Sequence, residues 1–491
     1  MARFHANQED DEMKKKRSIG MKTTILLAFV SLTFVAGRLP AAGSPAESAP
    51  PPYRQYAPRA GQLPVAADTN GAPLTLNQCV VIAVAGNPAA AAAKEGVRAS
   101  QDYAAMASSP HYPTLNAYAS YRKWETHAFM PPGLGGPGMA IPEVIGPTPD
   151  WSTGVRARWT IFDAGQTRAQ VLAARSRSEA SGAEAKALEQ EIVLNVHRSF
   201  FSLVSARQNL AVTETNVLRT AQHLDIASKR RSAGSAVEAD VLRAQTQLAD
   251  ARLAAVRAGS LVRLARGNLN ASMGLSPELL TEVVPAHLPL VSPDSIDIQA
   301  AFETAMAGRP ELAAQLFRIA ASKRAIATVK SESWPRLQLD GSYGRRDNQF
   351  FPSDTDWAVG ISLDVPLFSG FSSRRKLAAS MHELAAEEAR ARQVVLSIRQ
   401  EVWSAAQKLK ETREALSASE AFVRDAGESA RAMLQRYEAG AATTTDLLDA
   451  QTTLTRAEGN LVQARWDYQV SKSTFDRATG AIVVPEGNLR P

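Results

Sequence analysis

Cysteine is almost absent. Cys79 is the only one in 491 residues, so no intramolecular disulfide can form and a small cross-linked scaffold is excluded. The seven histidines include no HExxH run or other ligand-spaced pair, no glycine-rich phosphate loop occurs, and no serine sits in a nucleophile elbow. The chain therefore reads as something other than an enzyme, with no cofactor and no metal. Charge of one sign is missing too: the formal net charge is +6, half of it in residues 1–43, and the balanced remainder leaves no footprint for nucleic acid. Apart from one N-terminal run, no stretch approaches ~18 consecutive apolar residues, the length a membrane helix needs. Aromatic residues are only 6% while alanine is abundant, which favours long helices packed closely through small side chains.

Lys14, Lys15, Lys16, Arg17 and Lys22 precede an apolar run from Ile25 to Ala36, followed by small residues at Ala41, Ala42 and Gly43. This order predicts a secretory signal peptide over 1–43, with an uncleaved anchor as the lesser alternative. No cysteine follows the run directly, so a lipid-modified N-terminus is not expected, and Cys79 reads as a small buried helix residue. Residues 44–73, rich in Pro, Ala and Gly, predict a mobile arm.

The chain repeats itself. Residues 233–251 (AGSAVEADVLRAQTQLADA) match residues 439–457 (AGAATTTDLLDAQTTLTRA) at 10 of 19 positions, at an offset of 206. The same offset maps Trp151 onto Trp357, Gly154 onto Gly360 and Phe162 onto Phe368; upstream it becomes 222, mapping Pro88 onto Pro310, Pro113 onto Pro335 and Tyr121 onto Tyr343. Sixteen extra residues therefore lie between Tyr121 and Trp151 in the first copy, in a stretch (KWETHAFMPPGLGGPGMAIPEVIGPTPD) that is loop by composition. A duplication of this length predicts one pseudo-symmetric architecture.

Within each copy a helix (75–109 and 295–332) ends near a proline where period-two alternation begins. Leu115, Ala117, Ala119 and Tyr121 alternate with Thr114, Asn116, Tyr118 and Ser120; Leu337, Leu339 and Tyr343 alternate with Arg336, Gln338, Asp340 and Ser342. Returning strands put Trp151, Val155, Trp159 and Ile161, and then Trp357, Val359, Ile361 and Leu363, on one face. After the turns FDAG and FSGF comes a stretch of almost seventy residues without proline, which as one helix would reach roughly 100 Å at 1.5 Å per residue. The expected organisation is a signal peptide (1–43), an arm (44–73) and a first repeat over 74–283, with strands 113–121 and 151–162, a long helix 165–233 and a return helix 237–273. A second repeat follows over 284–480, with strands 335–343 and 357–368, a long helix 371–438 and a return helix 443–479, and then a tail (481–491).

Each strand alone would suit a soluble sheet packed on helices, but four at duplicated positions, long enough to cross a bilayer when tilted, favour lipid on the apolar face. Arg156, Arg158, Arg336, Asp340 and Asp364 would then face a wet lumen. In lipid every backbone donor and acceptor must be satisfied internally, and four strands leave two open edges. One chain cannot close a barrel, whereas three copies would supply twelve strands.

The order of elements, the duplication, the paired AG corner segments and the FDAG and FSGF turns resemble the TolC-like outer-membrane efflux channels over residues 74–480. The resemblance implies a mainly α fold with membrane β: a homotrimer whose twelve-stranded outer-membrane β-barrel, four strands per chain, continues into a long periplasmic α-helical barrel. It implies a periplasmic adaptor and an inner-membrane pump as partners, a location in the Gram-negative outer membrane, and service as the exit duct of a tripartite efflux pump for drugs or other small toxic compounds. A type I protein secretion duct is the alternative. A periplasmic coiled-coil adaptor would leave lipid-length strands without a purpose.

Asp446 and Asp449, three residues apart after the second corner, share a helix face, and residue chemistry alone reads them as acids favoured by a helix N-terminus, with Thr443 to Thr445 as caps. The resemblance instead implies that they ring the pore at its narrowest point, with Asp240 the acidic residue of the other corner and Tyr437 an aromatic residue that helps lock the closed tip. It also implies an arginine two residues past the corner glycine. This chain has Ala442 there, leaving Arg436 or Arg231 as candidate replacements.

Overall fold

The structure is a computed structural model and describes residues 73–127, 144–286 and 296–484. The expected signal peptide, nearly all of the arm, the middle of the first inter-strand loop and most of the tail lie outside the described residues. Helix α1 (Leu76–Gly86) starts at a capping box in which Thr75 and Gln78 satisfy each other's backbone amides. It ends at Asn87, whose side chain caps α2 (Pro88–Met106) by accepting from Ala89 N at 2.9 Å. The single helix expected over 75–109 is therefore two, because the residue before a proline is pushed out of the helical region and proline has no N–H to give. The second repeat breaks in the same way at Arg309, between α5 (Ile298–Gly308) and α6 (Pro310–Ser331).

Strands β1 (Thr114–His127) and β2 (Val144–Phe162) lead into α3 (Gln166–Ser232) and α4 (Glu238–Ser272); β3 (Arg336–Asp347) and β4 (Asp354–Asp364) lead into α7 (Ser372–Glu438) and α8 (Thr444–Ala478). The first hairpin extends well into the stretch that composition assigned to loop, and β4 stops at Asp364, short of the expected 368. Asp163 makes the turn into α3 by accepting from Gly165 N at 3.0 Å and Thr167 N at 2.7 Å. Ala164 and Gly165 are both left-handed at this turn.

The four strands form one antiparallel sheet in the order β1-β2-β3-β4. Its register aligns the alternation of all four strands. Thr114, Arg158, Asp340 and Gly360 sit side by side, as do Tyr121, Trp151 and Asp347 on the opposite parity. One face thus carries Arg122, Arg156, Arg158, Arg336, Asp340 and Asp364, and the other Leu115, Tyr121, Val155, Trp159, Leu339, Tyr343, Val359 and Ile361. Most of these apolar side chains are exposed, Val359 to 70% and Ile361 to 68%, far more than a packed soluble sheet would leave open.

Helix α3 is the hub, packing against α1, α2, α4, α6 and α8. Its segment from Ile192 to Val204 is accordingly buried nearly all round, with Val193, Val196, Phe200 and Leu203 fully enclosed. Helix α7 packs on one side only: Ile398, Val402 and Leu409 are buried while Leu396 and Trp403 are exposed. At the α5–α6 break, the buried Arg309 and neighbouring Arg477 of α8 share Glu311 and Glu401 of α7. Burial alone would raise the Glu311 carboxyl, but its bonds to Arg309 and its own backbone amide, with the charges of Arg309 and Arg477, hold it below the usual range. These ion pairs fix the two short helices of the second repeat to α7 and α8.

Candidate functional site

Two places carry polar groups that a conduit could use: the polar face of the sheet and the corners where the long helices turn back. On the sheet, the carboxylate of Asp150 takes two bonds from Arg346, both at 2.8 Å. Nearer the helices Arg158 bonds Asp340 at 2.7 Å. Between them Arg156 lies 5.0 Å from the Tyr118 ring, and Gly154 faces Gly344 so closely that a Cβ on Gly154 would meet Tyr343 O at 2.6 Å. The sheet therefore presents cross-strand ion pairs to one side and a hydrocarbon surface to the other.

Both corners end their long helix in the same way. Gly234 and Gly440 are left-handed, with φ of 72° and 73°. The following amides close back onto the helix, Ser235 N to Arg230 O at 2.9 Å and Ala441 N to Arg436 O at 2.8 Å. Glycine is needed here because a side chain at this φ would strain the backbone. Past the second corner, Thr443 and Asp446 form a capping box: Asp446 accepts from Thr443 N at 3.0 Å and Thr443 Oγ1 at 2.7 Å, while Asp446 N donates to Thr443 Oγ1 at 3.2 Å. The Thr443 hydroxyl and amide, aided by the charge of Arg436, hold the Asp446 carboxyl below its ordinary range. Asp449, one turn on, is exposed.

Tyr437 is buried, and its hydroxyl lies 3.4 Å from Thr444 Oγ1. The arginine that meets it is neither of the two candidates: Arg231 pairs with Glu238 at 2.8 Å and Arg436 points to Ala441 O. It is Arg230, whose guanidinium stacks 4.6 Å from the ring centroid and whose Nη1 donates to Tyr437 O at 2.8 Å. Asp240 is half-buried and faces Arg243 at 3.8 Å, not Tyr437. Arg230 was hidden in the run Lys229-Arg230-Arg231, which reads as ordinary basic residues in a helix's last turn. The one available signal was that of the three only Arg230 has its repeat counterpart, Arg436, in the residue just before Tyr437.

Higher up the same helices, His223 of α3 meets Gln451 of α8 in a buried contact, and Arg219 holds Glu458 by two bonds, at 2.6 and 3.0 Å. No group of residues that could hold a metal ion occurs among the described residues.

Comparison with known proteins places this arrangement. The profile of the family described as outer membrane efflux protein matches residues 80–275 and 301–481. Protein CyaE of Bordetella pertussis is 25% identical over 386 residues, covering 77% of this chain and 78% of that protein. Outer membrane efflux protein BepC of Brucella suis is 23% identical over 424 residues, covering 85% and 87%. Among solved structures, the outer-membrane channel OprN superposes with a TM-score of 0.71 at 22% identity, over 84% of this chain and 91% of that one.

Proposed function

The chain belongs to the outer membrane efflux protein family and is an outer-membrane channel of an efflux or secretion system, and on that premise we propose that it works as a homotrimer, the exit duct of a tripartite pump that expels small toxic compounds. Members of the family are trimeric and work with adaptors and inner-membrane pumps. One observation carries the reading for this chain: a four-stranded sheet with a hydrocarbon face, an ion-paired face and two open edges continues directly into helices of 67 residues. Lipid forbids the open edges, and closing them by adding copies makes a tube whose ion-paired face lines the water. The long helices then extend the tube into the periplasm, and Asp446 and Asp449 of three copies surround its inner mouth, with Asp240 and Tyr437 behind them. The chain supplies a conduit and no chemistry.

The test has two parts. Light scattering of the detergent-extracted protein should give the mass of three chains. A deletion strain should lose resistance to small toxic compounds and recover it with the intact gene. A strain that keeps its resistance but fails to export a protein would point to the secretion alternative.

A further inference from the structure

The hydrocarbon face of the sheet carries, at the end away from the helices, charge that no described residue neutralises. The duplication keeps one small pattern on each strand that runs outward: Tyr121 and Lys123 of β1 recur as Tyr343 and Arg345 of β3, at the offset of 222. Each tyrosine is paired across its hairpin with a tryptophan, Tyr121 with Trp151 and Tyr343 with Trp357. The two cations lie on the same side of the sheet as these rings, because each is two residues from its tyrosine along a strand. Trp151 is also opposite Asp347, four residues beyond Tyr343, and the tilt of strands in a barrel carries a stagger of that size towards one height. Tyrosine and tryptophan at one height mark the boundary between acyl chains and headgroups. Lys123 and Arg345, one step further out, stand at the level of the headgroups.

Among the described residues neither cation has an ion pair or a side-chain hydrogen bond, in contrast to the other face, where Arg158 holds Asp340 and Arg346 holds Asp150. The acids nearest along the strands do not reach them. Asp347 accepts from Asn348 N at 2.6 Å and Ser353 Oγ at 2.8 Å, and Glu125 falls in the register shift between Trp124 and Thr126. Arg345 is opposite Thr153 on β2 and Thr355 on β4, so a guanidinium stands between two hydroxyls with no carboxylate in its row. A cation against lipid is destabilising unless its head reaches an anion at the interface. A run of rings continues past it: Trp151 lies 4.4 Å from Tyr121 and 4.7 Å from Phe350, which is edge-on, and Phe351 follows at 4.8 Å. Phe350 and Phe351 belong to the turn between β3 and β4 and are 62% and 78% exposed, so apolar rings stand outside the aromatic boundary with no described residue covering them.

We propose that this outer rim binds a phosphorylated glycolipid of the outer leaflet, with Lys123 and Arg345 on its phosphates, the Thr153 and Thr355 hydroxyls donating beside Arg345, and Phe350 and Phe351 against its sugar rings. This rests on the barrel reading above, which puts the face in lipid, and adds the lipid that it selects. Arginine suits a phosphate because its planar fork offers two parallel donors. A phospholipid headgroup would satisfy the cations but is too small to cover the phenyl rings as well. A phosphorylated sugar headgroup does both, since the C–H face of a sugar packs on the electron-rich face of an aromatic ring.

Lipid retention tests the site. Detergent-extracted protein, weighed by light scattering, is titrated with lipid A, with lipid A stripped of its phosphates and with phosphatidylglycerol, and bound lipid is counted by native mass spectrometry. The unaltered protein should hold lipid A most tightly. Lys123→Gln and Arg345→Gln should each weaken lipid A roughly fivefold and together about thirtyfold, while Arg345→Lys keeps most of the binding. Phe350→Ser with Phe351→Ser should lower the preference for lipid A over phosphatidylglycerol, and Arg156→Gln, on the opposite face, should change neither lipid. Equal retention of lipid A and phosphatidylglycerol, equal retention of lipid A with and without phosphates, or a double glutamine variant that binds as the unaltered protein does, would overturn the inference and leave the barrel standing. An unaltered protein released from the membrane fraction by high salt without detergent would overturn the barrel reading itself.

Discussion

Arg230 and Tyr437 join the two inner corners of a single chain, through a stack at 4.6 Å and a bond from Nη1 to the tyrosine's carbonyl at 2.8 Å. Two interactions converge on one guanidinium, and neither residue is near the other in sequence. The stack contributes about 1 kcal/mol and the charged hydrogen bond ~1.5–3 kcal/mol.

Removing that tie should loosen the closed mouth. Arg230→Ala removes both and is expected to cost about 3 kcal/mol, roughly a 150-fold shift in the closed-to-open ratio, and to raise single-channel conductance in planar bilayers. Tyr437→Leu keeps a carbonyl for Arg230 to reach and should do less. Equal effects from the two variants would mean that the stack alone carries the contact.

The aspartates of the second corner should separate by position. Asp449→Ala and Asp446→Ala together should weaken cation preference and abolish block by multivalent cations while leaving the trimer's mass unchanged. Asp446→Ala alone should also loosen the start of α8, because it removes the capping box with Thr443. Since the Asp446 carboxyl is held below its ordinary range, the stability of that cap is present above the ordinary carboxylate pKa and is lost as pH falls through the depressed value. Unchanged selectivity in the double variant would place the constriction elsewhere, with Asp240 and Tyr437 next to be replaced.

A half-buried histidine should give the helices an acid-sensitive step. His197 of α3 lies 2.9 Å from Ser473 Oγ, and burial lowers its pKa to about 4 against a smaller upward pull from Asp476. The unfolded chain therefore takes up the proton first, and stability should fall as pH drops from about 6.5 towards about 4. Thermal unfolding across that window should show a slope that His197→Asn flattens; an unchanged slope would assign the acid response to other groups.

At Gly154 and at Gly344 facing it, even a methyl group does not fit. Gly154→Val would drive its Cβ to 2.6 Å from Tyr343 O and 2.8 Å from Gly344 Cα, so the β2–β3 pairing would have to break, and the expected result is loss of the trimer from the outer-membrane fraction. Gly165→Ala, with open space around it but φ of 81°, should cost only the ~1 kcal/mol of a left-handed alanine and leave assembly intact.

Much of this protein could be read from the order of its residues, because the signals involved are local. Alternation at period two marks four strands and their two faces, glycines mark the corners, and the 206-residue offset marks the repeats, each through neighbours within a few residues or through plain copying. Loop-like composition hid the outer ends of the first hairpin, where Asp150 is held by Arg346 almost two hundred residues away, and no local pattern announces such a bond. The same holds at the corners. Asp446 was legible as a first-turn acid because its partner, Thr443, is three residues off, whereas Arg230 among its basic neighbours was not. Which of three consecutive cations reaches Tyr437 depends on the rotation of a 67-residue helix against its counterpart, and that rotation is set by packing along the helix length. The sequence by itself determined elements, faces and repeats; tertiary packing alone decided which charges meet, because a contact between distant residues is specified by the sum of many others.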